Sequence, residues 1–395
     1  MNRQIQILDS TLREGEQTPG VYFDNHIKRE IAVFLDSIGV DFIEAGHPLV
    51  SDDIRIAVND ISRMNLKSTV VAHARSQKQD IDLAMQSDVG LIGIFYCVSN
   101  ERLKDVFNVS LTKAVDQIAS TIAYAKSIKP EVLIRYTPED TVRSKFQNVI
   151  DASVAAVQAG ADIISVADTT GYMIPGIRSM YDYIVRLKDE LAKHSLYPRI
   201  AAHCHNDRGL ALANSLDAVR GGADIIDASV LSLGERTGIT DLAELLFNLT
   251  DGYGQGNWDL PRLQELYNLV SKYTSIDIPV NRPIVGENAF THNAGVHTHA
   301  WIKKNDHYES VKPELVGRKS KICLDNMSGI ASVLYALERA GVTDIDNKMS
   351  EWILKRVKEI GLRGRVVEED ELLLLVKYFR SAANDQTVTE EREIS

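Results

Sequence analysis

Cysteine is scarce in this chain. There are three, Cys97, Cys204 and Cys323, odd in number and far apart. Such a set fits neither a disulfide framework nor a zinc knuckle, and it suits a reducing compartment. A chain of 395 residues buries a core large enough to do without covalent staples. Long hydrophobic runs are also missing, so no segment reads as a membrane span. The N-terminal stretch MNRQIQILDSTLREGEQ has no apolar h-region and leads straight into a predicted strand. A cytoplasmic protein without a membrane partner is expected. Positive charge is in short supply: 44 Lys and Arg against 55 Asp and Glu leave a net charge of −11. That balance excludes nucleic acid as the main partner, because neutralising phosphates needs a basic surface.

What the chain does have is alternation. Short β-branched or apolar runs recur at Ile5–Leu8, Asp41–Ala45, Ser68–Ala72, Leu91–Cys97, Val132–Thr137, Asp162–Ala167, Arg199–His203 and Asp224–Val230. Helical patterns such as Asn25–Ile38 and Val142–Ala159 separate them. Strand–helix alternation predicts a parallel sheet. Eight units over about 250 residues predict a closed (β/α)8 TIM barrel. Glycines at 39, 160 and 221–222 stand just before strands, where a left-handed helix cap is needed. The α/β barrel is expected over 1–255. A linker helix and a proline-rich extended segment follow over 256–290. The linker helix is Leu260–Tyr273, and an α-rich C-terminal subdomain contributing to the active site is expected over 291–395, with helices at Met327–Ala340, Lys348–Ile360 and Glu369–Phe379. The polar end from Ser381 is expected to fray.

A barrel carries its active site at the C-terminal ends of its strands. There the sequence places Asp9, Arg13 and Glu14 after the first strand, His73 after the third, and Arg135-Tyr136-Thr137-Pro138-Glu139 after the fifth. Thr169 follows the sixth, and His203-Cys204-His205-Asn206-Asp207 ends the seventh. Period two puts His203 and His205 on one face, toward the interior, with Cys204 pointing outward. Two imidazoles and a carboxylate with open positions suit Zn2+ or a similar divalent ion. On spacing alone, a hydrogen-bonded histidine pair is an equal reading; the neighbouring Asp9, Arg13 and Glu14 favour the metal. Arg13 suits stabilisation of developing oxygen charge, or a salt bridge within its own loop. Asp9 is expected to orient Arg13 or a metal ligand. Thr169 is read either as a donor to a substrate carboxylate or as a helix cap. A second histidine-rich stretch, Phe290 to His299, holds His292, His297 and His299 outside the barrel. Spacing alone leaves its role open.

Four motifs together resemble the DRE-TIM metallolyase superfamily, in its 2-isopropylmalate synthase and homocitrate synthase branch. They are D-S-T-L-R-E-G-E-Q at 9–17, H-C-H-N-D at 203–207, G-E-R at 234–236 and F-T-H-N-A-G-V-H at 290–297. The resemblance runs to about Gly329. It implies a Claisen condensation of acetyl-CoA with a 2-oxo acid held on a divalent metal (Zn2+, Mn2+ or Mg2+), followed by thioester hydrolysis. By position, Glu14, His203 and His205 match the ligands, and Arg13 matches the arginine facing oxyanion charge. Glu139 and His297 match a carboxylate–histidine pair for proton transfer, with His297 supplied by the partner of a homodimer with swapped C-terminal parts. Thr169 matches the residue that binds the C1 carboxylate, and His292 is a further site candidate.

Three positions lean toward homocitrate synthase and 2-oxoglutarate. His73 in V-V-A-H and Arg135 in R-Y-T-P-E-D-T resemble residues facing a distal carboxylate, with Thr137 where serine is usual. Ile239 in G-E-R-T-G-I-T stands where isopropylmalate synthases carry asparagine. Other positions point to the isopropylmalate branch, namely Glu44-Ala45-Gly46-His47-Pro48 and Ala74-Arg75 with Asp80-Ile81-Asp82. His47 is unusual for both branches and is expected to touch substrate. The alternatives are therefore a 2-isopropylmalate synthase or a related alkylmalate synthase using another 2-oxo acid, a 3-hydroxyacyl-CoA lyase, and a barrel that binds a metabolite without turnover. The lyases use a glycine-rich cysteine loop, and no cysteine here lies in one.

Overall fold

The computed structural model describes residues 4–393. The chain forms two compact units. One runs to Ile278 and takes in Pro283–Val285; the other comprises Pro279–Arg282 and the chain from Gly286 onward. No helix among the described residues is long and apolar enough to cross a membrane.

The first unit is the predicted barrel. Its strands are β1 (Gln6–Asp9), β2 (Phe42–Gly46), β3 (Thr69–Arg75), β4 (Leu91–Cys97), β5 (Leu133–Glu139), β6 (Ile163–Asp168), β7 (Arg199–Cys204) and β8 (Ile225–Ala228). All neighbours are parallel, and β1 pairs with both β2 and β8 to close the ring. The glycine punctuation acts as expected: Gly39, Gly160 and Gly222 have φ of 99°, 111° and 94°. Each ends a helix in the left-handed region that a side chain resists. The helix Asn25–Ile38 shows both ends of the logic. Asp24 caps its first turn by accepting from Ile27 N, and Gly39 stops it.

The barrel interior is built in layers. One inward residue from every strand forms an apolar plug: Leu8, Phe42, Val71, Leu91, Leu133, Ile163, Ala201 and Ile225. Side chains alternate with period two, so the next inward residue on each strand is two positions on. Those positions hold Ser10, Glu44, His73, Gly93, Arg135, Ser165, His203 and Asp227. An apolar floor thus carries a polar layer, and most of that layer is buried.

The second unit has its own core, centred on Leu324, Val333, Leu337, Met349, Ile353, Val357 and Leu372. Its helices are Gly295–Lys303, Ile330–Arg339, Asn347–Gly361 and Glu369–Glu393, with a short parallel ladder pairing Thr291–His292 with Lys321–Ile322. Four boundaries differ from expectation, one being the helix expected from Met327, which starts at Ile330 after Gly329. The segment from Leu260 begins as a 3-10 turn, Leu260–Arg262, with Pro261 in it, before the helix Leu263–Thr274. The helix expected from Val142 starts at Phe146, because Asp140 turns the chain with φ 56°. The final helix runs on to Glu393 instead of fraying at Ser381; residues 394–395 lie outside the described residues.

Candidate metal centre and active site

A cavity of about 600 Å³ opens at the C-terminal ends of the strands. Arg13, Glu14, His47, His73, Arg135 and Thr137 line it, as do Glu139, Thr169, His203 and His205. The turn after β1 brings in Glu14, and β7 brings in the two histidines. One ligand atom from each of Glu14, His203 and His205 lies within 4.8 Å of the others, and all three residues are buried. His203 Nε2 and His205 Nε2 face each other at 3.2 Å, and Glu14 Oε1 is 3.9 Å from His205 Nε2. Cys204 points the other way, buried, and burial pushes its thiol up.

Do these groups suit a metal? His203 Nδ1 bonds Asp227 Oδ2 at 2.9 Å, which leaves its Nε2 toward the centre. His205 Nδ1 is buried with no partner. Burial first, then neighbouring His203, lowers the His205 pKa to about 3, so the imidazole is neutral at physiological pH. Burial opposes the charge on Glu14, but Arg13, His203 and His205 outweigh it and hold its carboxyl below the usual range. Two imidazoles and one carboxylate converging in a buried pocket make a donor set suited to a divalent ion of the Zn2+ class. Gly234 keeps this space open. A Cβ on it would sit 3.0 Å from Glu14 Cγ, on backbone at φ 159°.

Two buried carboxylates organise the polar layer, and neither was singled out from sequence as a site residue. Glu44 accepts from Arg13 Nε at 2.7 Å, pairs with His73 Nδ1 at 3.0 Å, and also takes the Ser10 hydroxyl. Arg13 also pairs with Glu14. Burial opposes the charge on Glu44, but Arg13 and His73 hold its carboxyl far below the usual range. Asp227 accepts from Arg135 Nη1 at 2.8 Å and Nη2 at 2.6 Å, as well as bonding His203. Arg135 Nη2 also donates to Ser165 at 2.6 Å, while its Nε has no partner. Arg135 therefore sits in the pocket with its fork already on Asp227. The signal for Glu44 and Asp227 was present: each lies two residues past an inward apolar position on its strand.

The remaining predicted residues take definite places. Asp9 is fully buried; its Oδ1 accepts from Thr11 N at 2.9 Å and its Oδ2 has no partner. The orienting role expected of it falls to Glu44 for Arg13 and to Asp227 for His203. Burial raises the Asp9 pKa to about 7. His73 stacks on Phe95 at 4.7 Å, and burial followed by Arg13 lowers its pKa to about 4. Glu139 is paired with Arg102 Nη1 at 2.6 Å, a partner not foreseen from sequence. Thr169 Oγ1 accepts from Asp140 N at 3.0 Å, so its hydroxyl proton is left to donate. Thr137 lines the cavity from β5. In the second unit, His297 is exposed and stacks on Tyr308 at 4.3 Å. His292 stacks on Trp301 at 5.3 Å and bonds Glu309 at 3.3 Å.

The HMGL-like family model matches residues 4–270, and a model described as homocitrate synthase post-HMGL domain-like matches 284–365. The chain belongs to the HMGL-like family, in the branch of the homocitrate and 2-isopropylmalate synthases. A homocitrate synthase of Pyrococcus horikoshii is 43% identical over 352 residues, covering 89% of this chain and 94% of that protein. A 2-isopropylmalate synthase of Methanocaldococcus jannaschii is 39% identical over 378 residues, covering 95% of this chain and 71% of that protein. Among solved structures, an HMG-CoA lyase of Bacillus subtilis superposes with a TM-score of 0.60 at 19% identity, covering 70% of this chain and 96% of that one. That likeness speaks for the fold alone.

Proposed function

We propose that this chain is an acyltransferase that condenses acetyl-CoA with a 2-oxo acid, 2-oxoglutarate before others, to give homocitrate. The observation that carries the proposal is the convergence of Glu14, His203 and His205 in a cavity that also holds Arg13, Glu139 and Thr169. Similarity to proteins named homocitrate synthase supports the choice of substrate. Glu14, His203 and His205 hold the divalent ion, which supplies Lewis acidity and a template for a chelating oxo acid.

The chain's own groups account for the remaining steps. Thr169 donates its hydroxyl proton to the substrate's C1 carboxylate. Arg13, fixed by Glu44 and Glu14, faces the oxygen on which negative charge grows as the ketone carbon is attacked. Glu139 removes a methyl proton from acetyl-CoA, and the carbon nucleophile so formed attacks the ketone carbon. Arg102 keeps the Glu139 carboxylate in place. Hydrolysis of the thioester then releases CoA and the free acid. The proposal gives the second proton-transfer role to His297 of the partner subunit, in a homodimer with exchanged C-terminal parts. His73, Thr137 and Arg135 border the far end of the substrate.

A second reading, synthesis of an alkylmalate from an apolar 2-oxo acid, is favoured by one observation. The Arg135 fork is bonded to Asp227 and Ser165, and Val21, Val50, Ile54 and Phe95 add apolar wall to the cavity. Thiol release from acetyl-CoA with a panel of 2-oxo acids separates the readings. Turnover with 2-oxoglutarate above 2-oxoisovalerate supports homocitrate synthesis, and the reverse order supports the second reading. No release with any oxo acid contradicts both.

A further inference from the structure

If the cavity is an acyltransferase site, something in it must tell one 2-oxo acid from another. The three guanidinium groups lining it are all bonded to carboxylates. Arg13 is on Glu14 and Glu44, Arg135 is on Asp227, and Arg236 is on Asp207. Their charges are thus already balanced, although Arg135 Nε is unpartnered, and a further donor can serve a second acidic group at the far end of the substrate.

The strand β2 supplies one. Its pairing with β3 slips between Glu44 and Gly46, and Gly46 has φ 153°. Bulges of this kind re-aim the side chains that follow. A Cβ on Gly46 would come within 2.6 Å of Ile54 Cγ2, so glycine is required for the chain to bend there. The bend carries His47 onto the cavity wall, edge-on to His73 at 5.7 Å and to Phe95 at 6.3 Å between ring centroids. His47 Nε2 bonds the carboxylate of Asp80 at 2.8 Å. Asp80 is buried and is held in turn by Arg75, whose backbone N, Nε and Nη2 donate at 2.9, 3.0 and 2.9 Å.

We propose that His47, aimed by the β2 bulge and anchored by Asp80, reads the far end of the 2-oxo acid and selects an anionic group there over an alkyl one. The proposal rests on the acyltransferase reading of the cavity. The chemistry follows from the anchoring. A carboxylate on Nε2 fixes the ring on the cavity wall, and an imidazolium held this way donates from Nδ1 to an oxyanion. Burial opposes charge on Asp80, but its bonds to His47 and Arg75 prevail and keep it ionised. His73 is differently placed. With Nδ1–H toward Glu44 and a pKa near 4, it offers a lone pair at Nε2, which suits a donor better than an oxyanion. The selected class is a 2-oxo acid with a terminal oxyanion, planar carboxylate or tetrahedral phosphonate.

The test compares wild type with His47→Phe and His47→Gln, metal-loaded and full length. The readout is kcat/KM for 2-oxoglutarate, a phosphono-2-oxo acid and 2-oxoisovalerate. Loss of a hydrogen bond to a charged group lowers the ratio of anionic to alkyl substrate by about 10- to 100-fold. The fall is expected mainly in KM. The anionic substrate that loses more names the headgroup. If His47→Phe does not fold, His47→Gln and Asp80→Asn carry the test, and both shift the ratio in the same direction. An unchanged ratio in folded variants overturns the role of His47. If wild type releases no CoA with any oxo acid, the acyltransferase reading fails by itself. Calorimetric binding of 2-oxoglutarate to wild type and His47→Gln then decides the inference: equal affinity overturns it.

Discussion

Replacing Asp227 by Asn tests the metal centre without relying on turnover. Asp227 is buried, accepts twice from Arg135, and bonds the ring nitrogen of His203 on the side away from the centre. Asparagine keeps the shape and removes the charge. Carboxylates that orient a metal-binding histidine are worth about 10- to 100-fold in metal affinity, or roughly 1.4–2.7 kcal/mol. The same change leaves Arg135 in the interior without a charged partner, which costs the fold up to about 3–5 kcal/mol. The two effects separate in a double variant. Adding Arg135→Met removes the stranded cation, so stability recovers, whereas metal affinity stays low because His203 still lacks its carboxylate. The assay is competition for Zn2+ between metal-free protein and a chromophoric chelator at fixed pH, beside urea denaturation. A folded Asp227→Asn protein that binds Zn2+ within threefold of wild type would refute the reasoning. So would a double variant that regains metal affinity together with stability.

Other expectations follow from the same geometry. Glu139→Gln should lower kcat by about 10²- to 10⁴-fold while leaving Zn2+ affinity intact, as measured by the same chelator competition. Asp9 makes stability pH-dependent. Its pKa rises from the ordinary 3.8 to about 7. Below 3.8 the proton is bound in both states. Between there and pH 7 only the folded state keeps it, so stability drains away at about 1.4 kcal/mol per pH unit. Asp9→Asn should therefore stabilise the metal-free protein by about 4 kcal/mol at pH 8 relative to its effect at pH 4. Denaturation curves showing a pH-independent difference would count against this. Gly234→Ala should press on Glu14 and weaken Zn2+ binding; unaltered affinity would show that the loop yields to the methyl.

The fold was legible because each local signal agreed with the others. β4 begins and ends where its apolar run does, and the glycines at 39, 160 and 222 mark helix ends through backbone conformation alone. The Glu14, His203 and His205 cluster was legible because strand periodicity fixes which way two histidines point. What stayed hidden depends on contacts between strands. Nothing near Arg135 in sequence announces Asp227, 92 residues away, and nothing near Glu139 announces Arg102. Asp9 looked like an orienting carboxylate beside Arg13, yet the turn after β1 directs it to Thr11 N. Glu44 and Asp227 emerge once the apolar floor is known, since each then falls two residues above it. The bulge in β2 has a sequence mark in Gly46, but its consequence for His47 needs the register with β3.

The central claim is that this cavity joins acetyl-CoA to a 2-oxo acid on a divalent metal. Incubation of the full chain with 13C-acetyl-CoA, 2-oxoglutarate and Zn2+, Mn2+ or Mg2+, followed by mass spectrometry, tests it most directly. The account predicts labelled homocitrate and stoichiometric free CoA, both abolished by chelation and by His203→Ala. Absence of homocitrate and of every other condensation product across the oxo-acid panel, from folded metal-loaded protein, would contradict it.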